Sequence, residues 1–489
     1  MLEHRALWRE QDLRGHFAPP FGRCQVAIIG GGFTGASLAR SLATRLGRDG
    51  AVAVFEPRAA LGQGLAYDCH DDALRLNVAS HRMKALPEAP DAFHQWLVQT
   101  GKLESDPEGV AADGAFYARR SDFGLFMAEQ MQPLLQAGLV RHLREKVAHL
   151  TRSGQGWLIT GDQGSTLYAE EVVIATTHLT ARPPQALAGA LEGHPRFLAE
   201  TGQWNALDTC QPDDKVLIVG AGLTALDLVA SLRSKGHKGE ILMLSRSGRL
   251  PQTQSLGGLP PAGNFISPPP ASARQLLQTV RAAVQDAADR GLPWQSVFDT
   301  LRQQGQALWQ NLSDQEQQRF MRHLKRRYET HRYRMPPQIA SLLAHDMREG
   351  TLKNIAGQIC RVERTPQAIH LDIILKPHGM VERHSCQWVA VATGPDYARL
   401  IQSQDYLRDL ADARLIRPDI HGLGLDVDEN CRALRRNGLA LGNLFVAGPL
   451  TRGRFGELTG APEIAAQAER LALQMLERLQ RGVEASFDI

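Results

Sequence analysis

Two widely separated stretches of this chain repeat one pattern: a short apolar run, a glycine cluster, an apolar-periodic helix and a second apolar run. In the first, Gln25-Val26-Ala27-Ile28-Ile29 has the length and β-branched content of a buried strand. Gly30-Gly31-Gly32-Phe33-Thr34-Gly35 follows directly, and Leu38, Leu42 and Leu46 then mark one helix face. The next apolar run, Ala51 to Phe55, ends in Glu56 and Pro57, with Glu56 placed 21 residues beyond Gly35. Each glycine has its own task. Gly30 permits a tight turn, Gly32 lets a pyrophosphate approach the backbone, and Gly35 lets the helix pack closely on the strand. The helix head, at Phe33 and Thr34, offers free N–H groups and the positive dipole end to phosphate. Glu56 stands where a carboxylate accepts hydrogen bonds from an adenosine ribose. Such a unit commits the chain to an α/β fold with parallel strands, because strand, turn and crossover helix occur in this register only there.

The second unit starts at Val216-Leu217-Ile218-Val219 and continues as Gly220-Ala221-Gly222-Leu223-Thr224-Ala225, with alanine as the permitted third small residue. A helix runs on through Leu226, Leu228, Val229 and Leu232 to the strand Ile241-Leu242-Met243-Leu244. Here the strand ends in Ser245-Arg246, and Ser245, 20 residues after Ala225, holds the place that Glu56 holds in the first unit. Losing the carboxylate removes repulsion from a ribose 2′-phosphate, and Arg246 with Arg249 can pair with one, which favours NADPH over NADH. The competing reading leaves Arg246 as a solvated loop cation. Two units imply two dinucleotides: FAD in the first, NADPH in the second.

The rest of the composition narrows the class without naming a partner. With 489 residues, 43% hydrophobic and 22% charged, the chain is an ordinary globular one of roughly three domain-equivalents. Fifty-five basic residues against 52 acidic ones give +3, no electrostatic basis for nucleic acid or an anionic membrane. The six cysteines form no CxxC, so neither a zinc site nor a redox dithiol is expected. The charged N-terminus MLEHRALWREQDLRGHF lacks an apolar signal segment, and the most apolar stretch, Val216 to Leu232, carries Asp227. These features set the expectation of a cytoplasmic protein with no membrane span and no metal.

Further motifs give the chain a family resemblance. Val172-Val173-Ile174-Ala175-Thr176-Thr177 and Val389-Ala390-Val391-Ala392-Thr393-Gly394 look like the strand ends at domain crossovers of flavoproteins with two dinucleotide-binding domains. Leu444-Phe445-Val446-Ala447-Gly448-Pro449 looks like their late strand leading to a glycine beside the flavin. Gly62-Gln63-Gly64-Leu65-Ala66-Tyr67, Leu76-Asn77-Val78, Leu244 to Pro251, His331-Arg332-Tyr333-Arg334 and Gly448 to Ile464 narrow it. The chain resembles a bacterial FAD/NAD(P)-binding protein family related to flavin-dependent N-hydroxylating monooxygenases. It departs from that group in reading Gln252-Thr253-Gln254 where histidine is frequent, and in lacking FxGxxxHxxxW, since His194, Phe197, Gly202 and Trp204 fall out of pattern. The resemblance implies that Asn77, Val147, Thr176, Gly448, Pro449, Glu457 and Thr459 join the first glycine cluster in holding FAD. His81 and His178 read as structural, and no catalytic side chain is singled out.

The expected architecture is α/β, with two Rossmann-like domains, the FAD domain split by an inserted NADP domain that itself carries a helical insertion. Residues 1–23 form an N-terminal arm, 24–205 the first part of the FAD domain, 206–395 the NAD(P) domain and 396–489 the C-terminal part. The insertion, at about 270–350, shows helix periodicity at Leu276, Leu277, Val280, Ala283 and Val284 and a capping box at Ser313 and Glu316, with strand alternation returning only at Ile369. It either walls an active site or covers a sheet edge or dimer interface. Within it Arg332 and Arg334 are candidates for clamping a substrate carboxylate or the NADP phosphates; otherwise they belong to a solvated basic face. The reaction expected is that of an FAD-dependent NADPH oxidoreductase, a single-component monooxygenase passing oxygen from O₂ to a small amine or amino-acid-like metabolite. The alternatives are a reductase serving a quinone, disulfide or protein acceptor, and a non-catalytic flavin/NADP-binding sensor.

Overall fold

The computed structural model describes residues 22–487, apart from 49, 177–180, 201–206, 256 and 366. Almost all of the expected N-terminal arm, together with Thr177, His178, Gly202 and Trp204, lies outside the described residues.

The chain begins with β1 (Gly22–Ile29), β2 (Val52–Phe55), β3 (Val140–Leu143), β4 (Val147–Ser153), β5 (Gly156–Gly161) and β6 (Thr166–Ile174). It then builds β7 (Phe197–Leu198), β8 (Val216–Val219), β9 (Ile241–Ser245), β10 (Leu352–Arg364), β11 (Ile369–Leu375), β12 (Val381–Cys386) and β13 (Trp388–Val391) before returning with β14 (Arg432–Leu434) and β15 (Ala440–Val446). Among the described residues these strands form two sheets, ordered β14-β15-β6-β1-β2-β3 with β4 and β5 branching from β6, and β12-β11-β10-β9-β8-β13-β7. The strand that precedes each glycine cluster, β1 or β8, lies inside its sheet, paired in parallel on both sides. That position explains the unbroken apolar runs: Val26 to Ile29 and Val216 to Val219 are buried on both faces. The helices Phe33–Leu46 and Leu223–Ser234 are the crossovers that make β1–β2 and β8–β9 parallel.

The insertion is helical, as the periodicity predicts: Ala273–Asp289, Trp294–Gln303, Gly305–Asn311, Asp314–His323, Lys325–Arg332 and Pro337–Arg348. Leu276, Val297, Phe298, Leu301 and Leu308 close around Phe265 in a small core of their own. Two local expectations fail here. Ser313 does precede a helix, but its side chain makes no capping bond. Glu316 instead accepts a hydrogen bond from the Ala273 amide at 2.9 Å, satisfying the head of a different helix. Strand structure also returns earlier than Ile369, at Leu352. Residues 352–356 of β10 run parallel to β9 and its later residues turn antiparallel against β11, so no single alternation of apolar residues marks its length.

Glu171 of β6 is buried opposite Val26 of β1. Arg478 faces it, its Nε 3.2 Å away, and burial outweighs that cation to lift the carboxyl to about 7. A carboxyl that prefers its neutral form in the fold stabilises below its ordinary value, and that contribution is lost as pH rises through about 7. Glu171→Gln should therefore remove the decline in melting temperature that this group causes between pH 5 and about 8. A decline equally steep in the variant would show that Glu171 is charged throughout.

Candidate functional site

The C-terminal ends of β1, β6 and β15 meet at one edge of the first sheet. The Ala175 amide donates to the Ile29 carbonyl at 2.8 Å, and the Ala447 amide to the Ile174 carbonyl at 2.9 Å. In open α/β sheets this carboxyl edge is where ligands sit. Gly30 turns the chain with φ of 101°, and a side chain there would lie 2.9 Å from the Ala175 carbonyl oxygen. Gly35 sits still tighter, since a Cβ would lie 1.9 Å from the Gly30 carbonyl oxygen. A Cβ added at Gly32 would lie 3.4 Å from the Gly64 Cα, and the Gly62 amide donates to the Gly31 carbonyl at 2.8 Å, so Gly62 to Gly64 flank the cluster. Glu56, at the end of β2, accepts from the Gly31 amide at 3.0 Å and from Arg58 at 3.0 Å. A carboxylate has about four lone-pair sites, so Glu56 retains acceptor capacity for ribose hydroxyls. Pro57 beside it is exposed, and Val147 is buried at the start of β4.

Gly448, past the end of β15, has φ of 73°, and a Cβ there would strike the Thr34 hydroxyl at 2.6 Å. The two fingerprint partners are thus in contact. Gln467 fixes this turn: its Oε1 accepts from the Gly448 amide at 2.8 Å while its Nε2 donates to Thr451 at 2.9 Å. Neither Gln467 nor Thr451 was singled out by sequence, because nothing in the local pattern links residues on a strand end to a helix beyond it. Pro449 is half-buried next to Gly448. Thr176 shares a 3.0 Å hydrogen bond with the buried Tyr406 hydroxyl. Asn77 is half-buried, and its carbonyl accepts from Gln254 at 2.7 Å, a bond from the second sheet's side of the molecule.

The second glycine cluster repeats the turn but leaves more room. Gly220 has φ of 144°, with a Cβ position 2.2 Å from the Ala392 carbonyl oxygen, whereas Gly222 faces open space. Leu223 and Thr224 are half-buried at the helix head and Ala225 is buried. Asp227 on this helix, lifted by burial and opposed by Arg120, pairs with Arg120 at 2.8 Å and ties the helix to the first sheet's segment. Ser245 is buried, its hydroxyl accepting from the Gly248 amide at 3.0 Å. Arg246 and Arg249 are exposed, and a third guanidinium joins them: Arg326 of the insertion donates to Ser247 at 2.7 Å. Burial and the charges of Arg246 and Arg249 together lower the Arg326 pKa from its ordinary value. Glu329 opposes part of that repulsion, and a bound anion would relieve more of it. Sequence spacing does not bring Arg326, 80 residues further along the chain, to Arg246.

The insertion is fastened to the segment after Gly448. Trp309 donates to the Gly453 carbonyl at 2.9 Å, Arg302 makes a two-pronged contact with Glu463, and the Tyr333 and Thr459 hydroxyls lie 3.2 Å apart. Glu457 is buried between Tyr328, whose hydroxyl donates at 2.6 Å, and Arg332, whose Nε donates at 2.7 Å. Arg334 is buried and paired with Asp299, which also takes Arg82 at 2.9 Å. Arg332 and Arg334 therefore hold the protein's own carboxylates and do not form a solvated face. His81 is exposed. Among the described residues all six cysteines are free, no cluster could hold a metal ion, and no helix is long and apolar enough to cross a membrane.

Residues 27–179 match a family model described as FAD-NAD(P)-binding. No curated protein matches the chain by sequence. Among solved structures, the ornithine hydroxylase of Pseudomonas aeruginosa superposes with a TM-score of 0.64 at 15% identity, over 94% of this chain and all of that one. The ornithine N-hydroxylase of Kutzneria sp. 744, solved with reduced FAD, NADP⁺ and L-ornithine, gives 0.61 at 17% identity over 93% of this chain and 99% of that one. A cadaverine monooxygenase of Erwinia amylovora, bound to FAD, gives 0.55 at 14% over 92% and 93%. Residues 27–179, which carry the first glycine cluster, thus match an FAD-NAD(P)-binding model, and the whole chain has the doubly Rossmann-like α/β fold of these solved structures.

Proposed function

We propose that this chain is an FAD-dependent, NADPH-using monooxygenase acting on a small amine or amino-acid-like metabolite. The observation that supports it most is the pairing of two glycine-lined strand ends, with Arg246, Arg249 and Arg326 gathered at the second. Gly30, Gly32, Phe33, Thr34, Gly35 and Glu56 would hold FAD with Gly448 and Thr176, since Gly30 and Gly35 let turn and helix close on the strand while Gly32 leaves the backbone open to a pyrophosphate. When bound, FAD supplies hydride acceptance from NADPH and reaction with O₂. Gly220, Gly222 and the helix head at Leu223 to Ala225 would take the NADPH pyrophosphate, and Arg246, Arg249 and Arg326 its 2′-phosphate. The insertion, clasped to the segment after Gly448, would keep water from the reacting centre. The ornithine and cadaverine enzymes that share the fold act on amines, which supports an amine as the group attacked.

The test is NADPH-dependent O₂ uptake by FAD-loaded protein across short amines and ω-amino acids, with mass detection of the N-hydroxylated product. NADPH oxidation only with dyes or quinones, with no oxygenated product, would overturn the reading in favour of a reductase. Arg326→Ala and Arg246→Ala should each raise the KM for NADPH roughly tenfold or more and leave that for NADH unchanged, the effect of losing a charge-assisted bond to phosphate. A parallel rise for NADH would place these arginines away from the 2′-phosphate.

A further inference from the structure

A cavity of about 80 Å³ lies between the insertion and the segment Arg452 to Glu457. Its walls are mainly apolar, with Leu276, Leu301, Leu308, Leu312 and Trp309 among them. The polar groups on its lining are nearly all engaged with one another. Lys325 pairs with Glu329 at 2.7 Å, Tyr328 donates to Glu457, Glu457 is neutralised by Arg332, and Tyr333 meets Thr459. Arg452 is the exception. Its Nε is buried without a hydrogen-bond partner, and Glu329 and Glu457, near enough to feel its charge, are paired elsewhere. A buried guanidinium N–H with no acceptor is costly unless a ligand atom completes it.

We infer that this cavity binds a short aliphatic carboxylate, its chain against the leucines and Trp309 and its carboxylate on the fork of Arg452. A planar five-donor fork matches a carboxylate better than any neutral acceptor. The volume, below the roughly 150 Å³ of a dry cavity that accepts benzene, limits the apolar part to a few carbons. The site shares only Glu457 with the residues assigned to FAD, so ligand and cofactor do not compete for the glycine edge. That the carboxylate belongs to the amine substrate rests on the function proposed above; the binding itself does not.

The experiment is calorimetric titration of FAD-loaded protein with propanoate, propanamide and propylamine, independent of turnover. Propanoate should bind and the other two should bind at least tenfold more weakly, as expected for loss of a charge-assisted contact. Arg452→Met should weaken propanoate by a similar factor and Arg452→Lys by less, both with wild-type flavin spectrum and a melting temperature no lower than wild type. Equal binding of propanoate and propanamide, or unchanged binding by Arg452→Met, would overturn the inference. So would loss of FAD or a shifted flavin spectrum in Arg452→Met without ligand, which would assign the guanidinium to the flavin. Propanoate binding in a protein that never oxygenates an amine would sustain the site while the monooxygenase reading failed.

Discussion

Glu457→Ala is expected to destabilise the protein by about 3–5 kcal/mol, the cost typical of leaving one member of a buried ion pair uncompensated. The Arg332 and Glu457 side chains are 7% and 6% exposed, so solvent screens neither charge. Burial disfavours the guanidinium, while Glu457 and the neighbouring tyrosines pull its pKa above the ordinary value. Removing the carboxylate leaves Arg332 only Glu463, 4.0 Å away and already held by Arg302, against its burial cost, and also strands the buried Tyr328 hydroxyl. Because the pair joins the insertion to the segment after Gly448, the loss should appear first as proteolytic opening of residues 273–348, then as an earlier melting transition. The double variant Arg332→Met with Glu457→Met should recover much of the stability, because it removes both charges and keeps the volume. A Glu457→Ala protein that melts within about 1 kcal/mol of wild type would show that the pair is hydrated.

Gly35→Val is expected to abolish FAD binding, yielding colourless protein after reconstitution. A Cβ at this position would lie 1.9 Å from the backbone oxygen of Gly30, an overlap that no rotamer relieves. The helix Phe33–Leu46 must then lift from β1, and its head moves away from the phosphate position. Gly222→Ala offers the contrast. Nothing lies within 4 Å of that Cβ position, so the variant should fold, retain FAD and lose only affinity for NADPH. Retention of FAD by Gly35→Val would remove the first glycine cluster from the FAD site, whatever the reaction.

What was legible in the sequence is what local geometry dictates. Gly30, Gly35 and Gly220 occupy places where only a missing side chain satisfies the backbone, and β1 and β8 are wholly apolar because both faces are covered. Glu56 was legible by its distance along the chain from Gly35. The unreadable parts are those decided by remote partners. Glu316 leaves its own helix for the Ala273 amide, and Arg332 meets a glutamate 125 residues away. Both look like ordinary surface residues until the insertion is placed against the segment after Gly448. The same holds for Gln467, Arg326 and Arg452, whose roles follow from which group stands opposite them and not from spacing. β10 escaped for a different reason: it serves two sheet geometries in one strand.

The register of β15 beside β6, Val446 against Ile174, carries a consequence for how the molecule is made. As the chain leaves the ribosome, β6 is complete long before its neighbour exists, and everything that separates them must be synthesised first. Until then the rim of the first sheet stands open, with unpaired amides and carbonyls able to recruit another nascent chain. The intervening unit, whose strands β8, β9, β10 and β13 all lie within one continuous stretch, can condense in the meantime. Assembly thus runs from the inside of the sequence outward, and the last strand to arrive seals a sheet begun by the first.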